Sequence, residues 1–240
     1  PFSSSFNLAT EAILANGSVE QKEKWLPKLA SGEVVGTFAL AEGSGRPSAD
    51  SLNTRFEAGK LTGKKLPVPD GNIADFAVIV TKSDTGDGAS LALVELNQEA
   101  VIRSSVRTLD FSRGHASIEF KGAEAEILGA DGSGWSAMES LMDRAAVMFA
   151  WEQVGIADAA LEQARDYAMG RYAFGRAIAS YQAIKHKLAD MYVKNTLARS
   201  NCYYGAWALN SDSSELALAA ATARVAAIQA SVNAAQENVQ

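Results

Sequence analysis

RYAFGRAIASYQAIKHKLAD, Arg171–Asp190, reads as a helix end, a short turn centred on Gly175 and the start of a second long helix. Apolar residues recur at Ile178, Tyr181, Ile184, Leu188 and Met191, the three-to-four spacing of a buried helical stripe. Such a stripe alone means core. The polar residues set the stretch apart. Arg171 stands just before the turn and Gln182 one turn into the next helix, with Phe174-Gly175-Arg176 between them. Singly, each has an ordinary role. An arginine near a helix C-terminus complements the macrodipole, an aromatic such as Phe174 packs in a core, and Gln182 suits a solvated helix face. Their joint spacing is what those roles leave unexplained.

Around this stretch the helical period holds from about residue 131 to the end, with helices expected at Trp135–Met169, Ser180–Asn210 and Ser213–Gln236 and a cap at Asp212-Ser213-Ser214. Long antiparallel helices joined by short loops indicate a bundle. Upstream, from about Glu33, the pattern is different. Val34–Leu40, Asn53–Leu61, Phe76–Thr81, Ser90–Leu96, Val101–Val106 and Ser117–Phe120 are short runs rich in β-formers, separated by clusters such as Pro69-Asp70-Gly71-Asn72 and the stretch 84–88. Strands at this spacing predict a small antiparallel barrel or sandwich. Before them, Ser18 and Gln21 have capping-box spacing, Lys22, Trp25, Leu26 and Leu29 follow, and Gly32 ends the helix. The predicted fold is α+β: an N-terminal helical remnant over 1–32, a β domain over 33–130 and a helix bundle over 131–240. Pro1 runs straight into a helical pattern and the last helix reaches Gln240 without a stop signal, so the stretch is expected to be the middle of a longer protein.

Composition narrows the class. With 48% hydrophobic and 21% charged residues, the chain is an ordinary globular sequence. A net charge of −6 offers nothing to nucleic acid or an anionic membrane, and an anionic substrate would need a local basic site. The most apolar segment, Leu216–Val232, is broken by Thr222, Arg224 and Gln229, so no membrane span is expected. Cys202 is the single cysteine, which excludes an internal disulfide and fits a cytoplasmic location. Lys185-His186-Lys187 reads as a solvated helix face and His115 as a loop residue; neither histidine is assigned a catalytic role.

Two further passages carry a resemblance. Trp25–Glu33 followed by Gly36-Thr37-Phe38-Ala39-Leu40-Ala41-Glu42 resembles the junction between the N-terminal helices and the first β-strand of the acyl-CoA dehydrogenase family. Arg171–Asp190 resembles that family's flavin-contacting helix connection, in which the arginine and the glutamine reach the FAD of a neighbouring subunit. With Glu237–Gln240 the resemblance covers nearly the whole chain. It implies FAD, an acyl-CoA substrate, an electron-transfer acceptor protein, and a homotetramer or α2β2 heterotetramer. The implied reaction is removal of an α-proton by a carboxylate with hydride passing from the β-carbon to flavin. The implied cofactor-binding positions are Phe38, Leu40 and Ala41 on the first strand, Val68 and Pro69 on the next element, and Arg171, Phe174, Gln182 and Gln240 in the helical part. Arg171 suits a pyrophosphate because guanidinium makes paired, charge-assisted bonds to phosphate oxygens. Gln240 would open the family's Gln-x-x-Gly-Gly turn.

The chain also departs from the family pattern. Ala41-Glu42-Gly43-Ser44 stands where Thr-Glu-Pro-Gly is usual, and Pro67-Val68-Pro69 where a Trp-Ile-Thr element is usual, so two hydroxyls and two backbone N–H groups are lost. Proline-containing versions of that element resemble a subgroup acting on bulky or steroid side-chain acyl-CoAs, some of which pair an active with a degenerate chain. Ser48 is the candidate substrate-contacting serine, reached with a one-residue insertion; gapless counting gives Pro47. The family's base is usually a glutamate far toward the C-terminus. In a minority it precedes an arginine in the first long bundle helix, which Asp143-Arg144 would match after a two-residue shift, gapless counting giving Ala145. The alternative to an active dehydrogenase is a non-catalytic partner subunit that contributes trans contacts to a neighbour's FAD.

Overall fold

The computed structural model describes residues 2–84, 86, 88–110 and 112–240, and the chain divides between Met142 and Asp143 into two compact units. The first unit opens with a π-helical turn at Ser3–Thr10 that continues into α1 (Glu11–Asn16), and α2 (Val19–Ser31) follows. The expected capping box starts α2: Gln21 N–H donates to Ser18 Oγ at 3.2 Å, and Ser18 N–H donates to the Gln21 side chain at 3.1 Å. Gly32 ends it in the left-handed conformation. Gln21 also donates to the Ile127 carbonyl at 2.9 Å, which ties α2 to the sheet.

Among the described residues seven strands form that sheet: β1 (Gly36–Ala39), β2 (Arg55–Glu57), β3 (Lys60–Pro69), β4 (Phe76–Lys82), β5 (Ala89–Glu95), β6 (Val101–Val106) and β7 (His115–Leu128). Pairings run β4–β2–β3–β7–β5 and back to β4, which closes a small barrel; β1 joins β4 in parallel and β6 joins β7. The remaining pairs are antiparallel apart from one β2–β4 bridge. Both faces of β4 are buried. Phe76, Val78 and Val80 pack with Ile13 and Trp25 under the helices, whereas Ala77 and Ile79 join Phe56, Leu61, Ile118 and Phe120 inside the barrel. That double burial explains its unbroken apolar run.

Three strand expectations change. The Asn53–Leu61 run is a hairpin, because Ala58 (φ 48°) and Gly59 (φ 80°) make a tight turn that splits it into β2 and the start of β3. β3 then runs through Pro67 to Pro69, well past the expected end of the run at Leu61. It survives because the register slips between Lys65 and Val68, and a bulge takes the proline that has no N–H to give. Ser117–Phe120 is the middle of the much longer β7, and His115, expected in a loop, opens that strand opposite Pro69 and Val106.

The second unit holds most of α3 (Gly134–Gly170), a two-strand ribbon of β8 (Tyr172–Ala173) and β9 (Arg176–Ala177), α4 (Gln182–Asn210) and α5 (Leu216–Val239). Its core is built from small residues: Ala150, Ala157, Ala198, Cys202, Ala223 and Ala227, with Val154 and Met191. A Cβ added to Gly205 would lie 3.3 Å from Ala223 and Val147, so the glycine lets the helices approach closely there. α4 begins after a short 3-10 turn at Ile178–Ser180, and α5 begins at Leu216, after Ser213 Oγ accepts from Glu215 N–H at 3.2 Å. By length and apolarity α5 alone among the described helices could span a membrane; here its Ala223, Ala227, Ala230 and Ala234 are buried in the bundle core.

Candidate functional site

In the first unit the polar arrangement is built where β1 ends. The chain leaves β1 as Leu40-Ala41-Glu42, and the Ala41 carbonyl accepts from Leu66 N–H at 2.8 Å. Lys65, on β3, points the same way as buried Leu61 because side chains two apart share a face, and it is itself fully buried. Its Nζ donates to the Leu40 carbonyl at 3.1 Å and pairs with Glu42 Oε1 at 2.7 Å. Glu42 also accepts from the backbone N–H groups of Asn53, at 2.6 Å, and Thr54, at 3.1 Å. Burial alone would raise the Glu42 carboxyl; the Lys65 ammonium and the bonds from Asn53 and Thr54 overcome it and hold it at about 2. Burial pulls the Lys65 ammonium below its ordinary value, and Glu42 offsets only part of that. A cleft of about 230 Å³ lies alongside, walled by Leu40, Glu42, Arg46, Pro47 and Asn53.

The expected residues of this unit reach the cleft unequally. Phe38 and Val68 are buried in the two cores, so only their backbones remain for a ligand. Leu40 and Ala41 sit at the strand end beside Glu42, their carbonyls engaged by Lys65 and Leu66. Pro69 gives its carbonyl to the Thr37 hydroxyl at 2.6 Å. Ser48 is exposed and caps a short turn, its Oγ accepting from Ser51 N–H at 3.3 Å. Lys65 is a functional residue that local sequence pattern does not single out. The available signal was the alternation Leu61, Gly63, Lys65, which puts a lysine on an inward position.

In the second unit Arg171 N–H still bonds back to Tyr167 at 2.9 Å, and Ile178 N–H donates to the Arg171 carbonyl at 2.8 Å. Between them Phe174 (φ 52°) and Gly175 (φ 80°) form a two-residue hairpin turn that needs the left-handed conformation at both positions. Phe174 accepts that conformation as a bulky residue and stands 96% exposed at the tip. Arg176 is committed: its guanidinium lies 3.9 Å over the Tyr181 ring, and the Tyr181 hydroxyl donates to the Ala173 carbonyl at 3.0 Å. Arg171 and Gln182 are not. Both are exposed, and no hydrogen bond or ion pair engages either side chain among the described residues. Gln182 is the first residue of α4, whose first turn has no acidic residue to offset the positive helix end.

Gln240 closes a groove of about 900 Å³ between helices and accepts from Lys187 Nζ at 3.1 Å; Lys187 also pairs with Glu237 at 2.6 Å. Asp143 is half-buried on α3 and already engaged, and Arg144 pairs with Asp212 at 3.7 Å. Burial pushes the Cys202 thiol up to about 11, which removes it as a nucleophile. Among the described residues no cluster could hold a metal ion. The donor set fits a dinucleotide: an uncommitted guanidinium for phosphate, an exposed aromatic face and an uncommitted amide.

A helix-capped barrel followed by a bundle of long helices is the mixed α+β architecture of acyl-CoA dehydrogenase structures. Residues 132–240 match the description "Acyl-CoA dehydrogenase, C-terminal domain" and residues 1–33 match "Acyl-CoA dehydrogenase, N-terminal domain". An acyl-CoA dehydrogenase of Bacillus subtilis is 35% identical over 96% of this chain and 65% of its own length. The solved butyryl-CoA dehydrogenase of Megasphaera elsdenii superposes with a TM-score of 0.91 at 24% identity, covering 99% of this chain and 65% of that one. Glutaryl-CoA dehydrogenase of Mycobacterium smegmatis, solved in complex with FADH2, gives a TM-score of 0.85 at 24% identity, covering 98% and 62%. The chain belongs to the acyl-CoA dehydrogenase family, which is FAD-dependent. It spans 39% to 65% of the length of the curated relatives it matches.

Proposed function

We propose that this chain is the flavin-binding part of an acyl-CoA dehydrogenase that introduces a double bond between the α and β carbons of an acyl-CoA thioester. The observation that carries the reading is the uncommitted pair Arg171 and Gln182 flanking the Phe174 hairpin. An exposed guanidinium with no anionic side-chain partner is free to make paired, charge-assisted bonds to phosphate oxygens. When bound, FAD supplies the acceptor for the hydride. On the FAD of a neighbouring subunit, Arg171 would hold pyrophosphate oxygens, Phe174 would offer its ring and Gln182 would bond ribose or adenine, and Gln240 would meet the flavin nucleotide. Leu40, Ala41 and the Val68-Pro69 backbone border the isoalloxazine, and Ser48 contacts the thioester region. Asp143, half-buried and engaged, is not given the base. An electron-transfer acceptor protein and a tetramer follow the family likeness, and a cytoplasmic location follows from the single cysteine, Cys202. Nucleic acid and membrane have no part.

Titrating the purified full-length protein with FAD tests this directly. Bound flavin should appear in visible absorbance, and Arg171→Ala should weaken affinity by about 1.5–3 kcal/mol, roughly 10- to 150-fold in Kd. Absence of any bound flavin in the wild type, with and without a co-expressed paralogue, would rule the reading out.

Ala41 and the Pro67-Val68-Pro69 element favour a second reading. With no hydroxyl at those positions and Val68 in the core, this chain's grip on its own flavin is reduced to backbone, while Arg171 and Gln182 remain available to a neighbour. Such a chain would be the non-catalytic partner in an α2β2 assembly acting on bulky acyl-CoAs. Flavin stoichiometry separates the readings: one FAD per chain supports the dehydrogenase, one per two chains the partner.

A further inference from the structure

Lys65, fully buried, pairs with Glu42 at the end of β1. A buried pair is costly to desolvate, and an apolar pair of similar volume often stabilises a fold as well or better. What an apolar pair could not reproduce is the set of backbone groups that this one holds. Lys65 Nζ takes the Leu40 carbonyl at 3.1 Å, and Glu42 takes the N–H groups of Asn53 at 2.6 Å and Thr54 at 3.1 Å. The Leu66 N–H, next to Lys65, takes the Ala41 carbonyl at 2.8 Å. These groups belong to the two ends of one loop, Gly43 to Asn53, and to the strand end from which it departs. Leu40, Glu42 and Asn53 themselves wall the cleft of about 230 Å³. The pair therefore sets the separation of the cleft's walls. With neither Ala41 nor Pro67 and Pro69 supplying a hydroxyl, that backbone is what remains to meet a ligand.

We propose that Lys65 and Glu42 are positioning residues for the flavin: together they fix the Leu40-Ala41 backbone and the Gly43–Asn53 loop in the conformation that receives the isoalloxazine. This rests on the flavin-binding reading above. Neither residue touches the reacting atoms; each acts through the backbone it holds.

The test uses full-length protein in three forms, Glu42→Gln, Lys65→Met and the double variant, alongside wild type. Amide hydrogen exchange without FAD should show Asn53, Thr54 and Leu66 losing at least about tenfold in protection in Lys65→Met. Glu42→Gln, the gentler change, keeps one acceptor oxygen and should lose protection at Asn53 or Thr54 alone. FAD affinity should fall on the order of tenfold in the double variant, with altered visible circular dichroism of the flavin that still binds. The double variant removes both buried charges, so its melting temperature should recover most of what Lys65→Met loses while the flavin signature stays altered. Recovery of both together would show a purely structural pair and overturn the proposal, as would unchanged protection at all three amides in Glu42→Gln and the double variant. A wild type that binds no FAD defeats the flavin reading and this one with it; a wild type that binds, with variants indistinguishable from it, defeats only this one.

Discussion

Lys65 has no solvent access and one carboxylate partner, so removing either charge should be felt well beyond the contact itself. Lys65→Met leaves Glu42 buried without its cation and is expected to cost about 3–5 kcal/mol, measured by chemical denaturation. Glu42 also makes stability depend on acid. Its carboxyl lies at about 2 in the fold against an ordinary 4.5. A depressed folded value means that the contribution is complete above about 4.5 and lost as pH falls toward about 2. Wild type should therefore lose stability across that window, and Glu42→Gln should lose distinctly less; parallel curves would refute the assignment. At this scale the sequence was uneven to read. Arg171 and Gln182 stood out because polar residues interrupted an apolar stripe at a turn. Lys65 did not, since its partner lies 23 positions away and only the folded barrel brings the two together.

Among the elements, α2 was legible from local chemistry alone. Its capping box and glycine stop lie within the helix's own reach, and Ser18→Ala should cost about 1 kcal/mol in a thermal or denaturant melt. β3 was not, because its prolines argue against a strand unless a bulge absorbs them, and bulges are set by the partner strand. The same strand contains a second constraint. Gly63 has φ 139°, and a Cβ there would lie 2.6 Å from the Thr54 Cα. Gly63→Ala combines backbone strain with a clash against main chain, so a loss of about 2–4 kcal/mol is expected on unfolding. A variant within about 0.5 kcal/mol of wild type would mean that β2 and β3 can separate at little cost. At Phe174 the sequence predicts a turn on Gly175 and the structure has one, but its short ribbon leaves no trace in the sequence because two-residue strands have no period.

For the whole molecule, α5 carries an exposed stripe at seven-residue intervals: Leu218, Val225, Val232 and Val239. Its alanines face the bundle core, so the larger apolar side chains are left outside. An assembly of subunits would cover such a stripe. Leu218→Glu with Val225→Glu should then give a smaller species in sedimentation at unchanged helicity, whereas an unchanged mass would take this helix out of the interface. The division into helices, barrel and bundle followed from changes in hydrophobic period along the chain. The barrel's closure could not be read that way, because pairing partners are a property of the tertiary fold. That closure hangs on β7. One edge of this long strand receives β3, and the other receives β6 along its first half and β5 along its last. It is also the last strand of the sheet to leave the ribosome, so β3, β5 and β6 must wait with open edges until residue 128 has emerged. The barrel can therefore close only once β7 is complete, and the interval before that is when the nascent chain most needs protection from pairing with another.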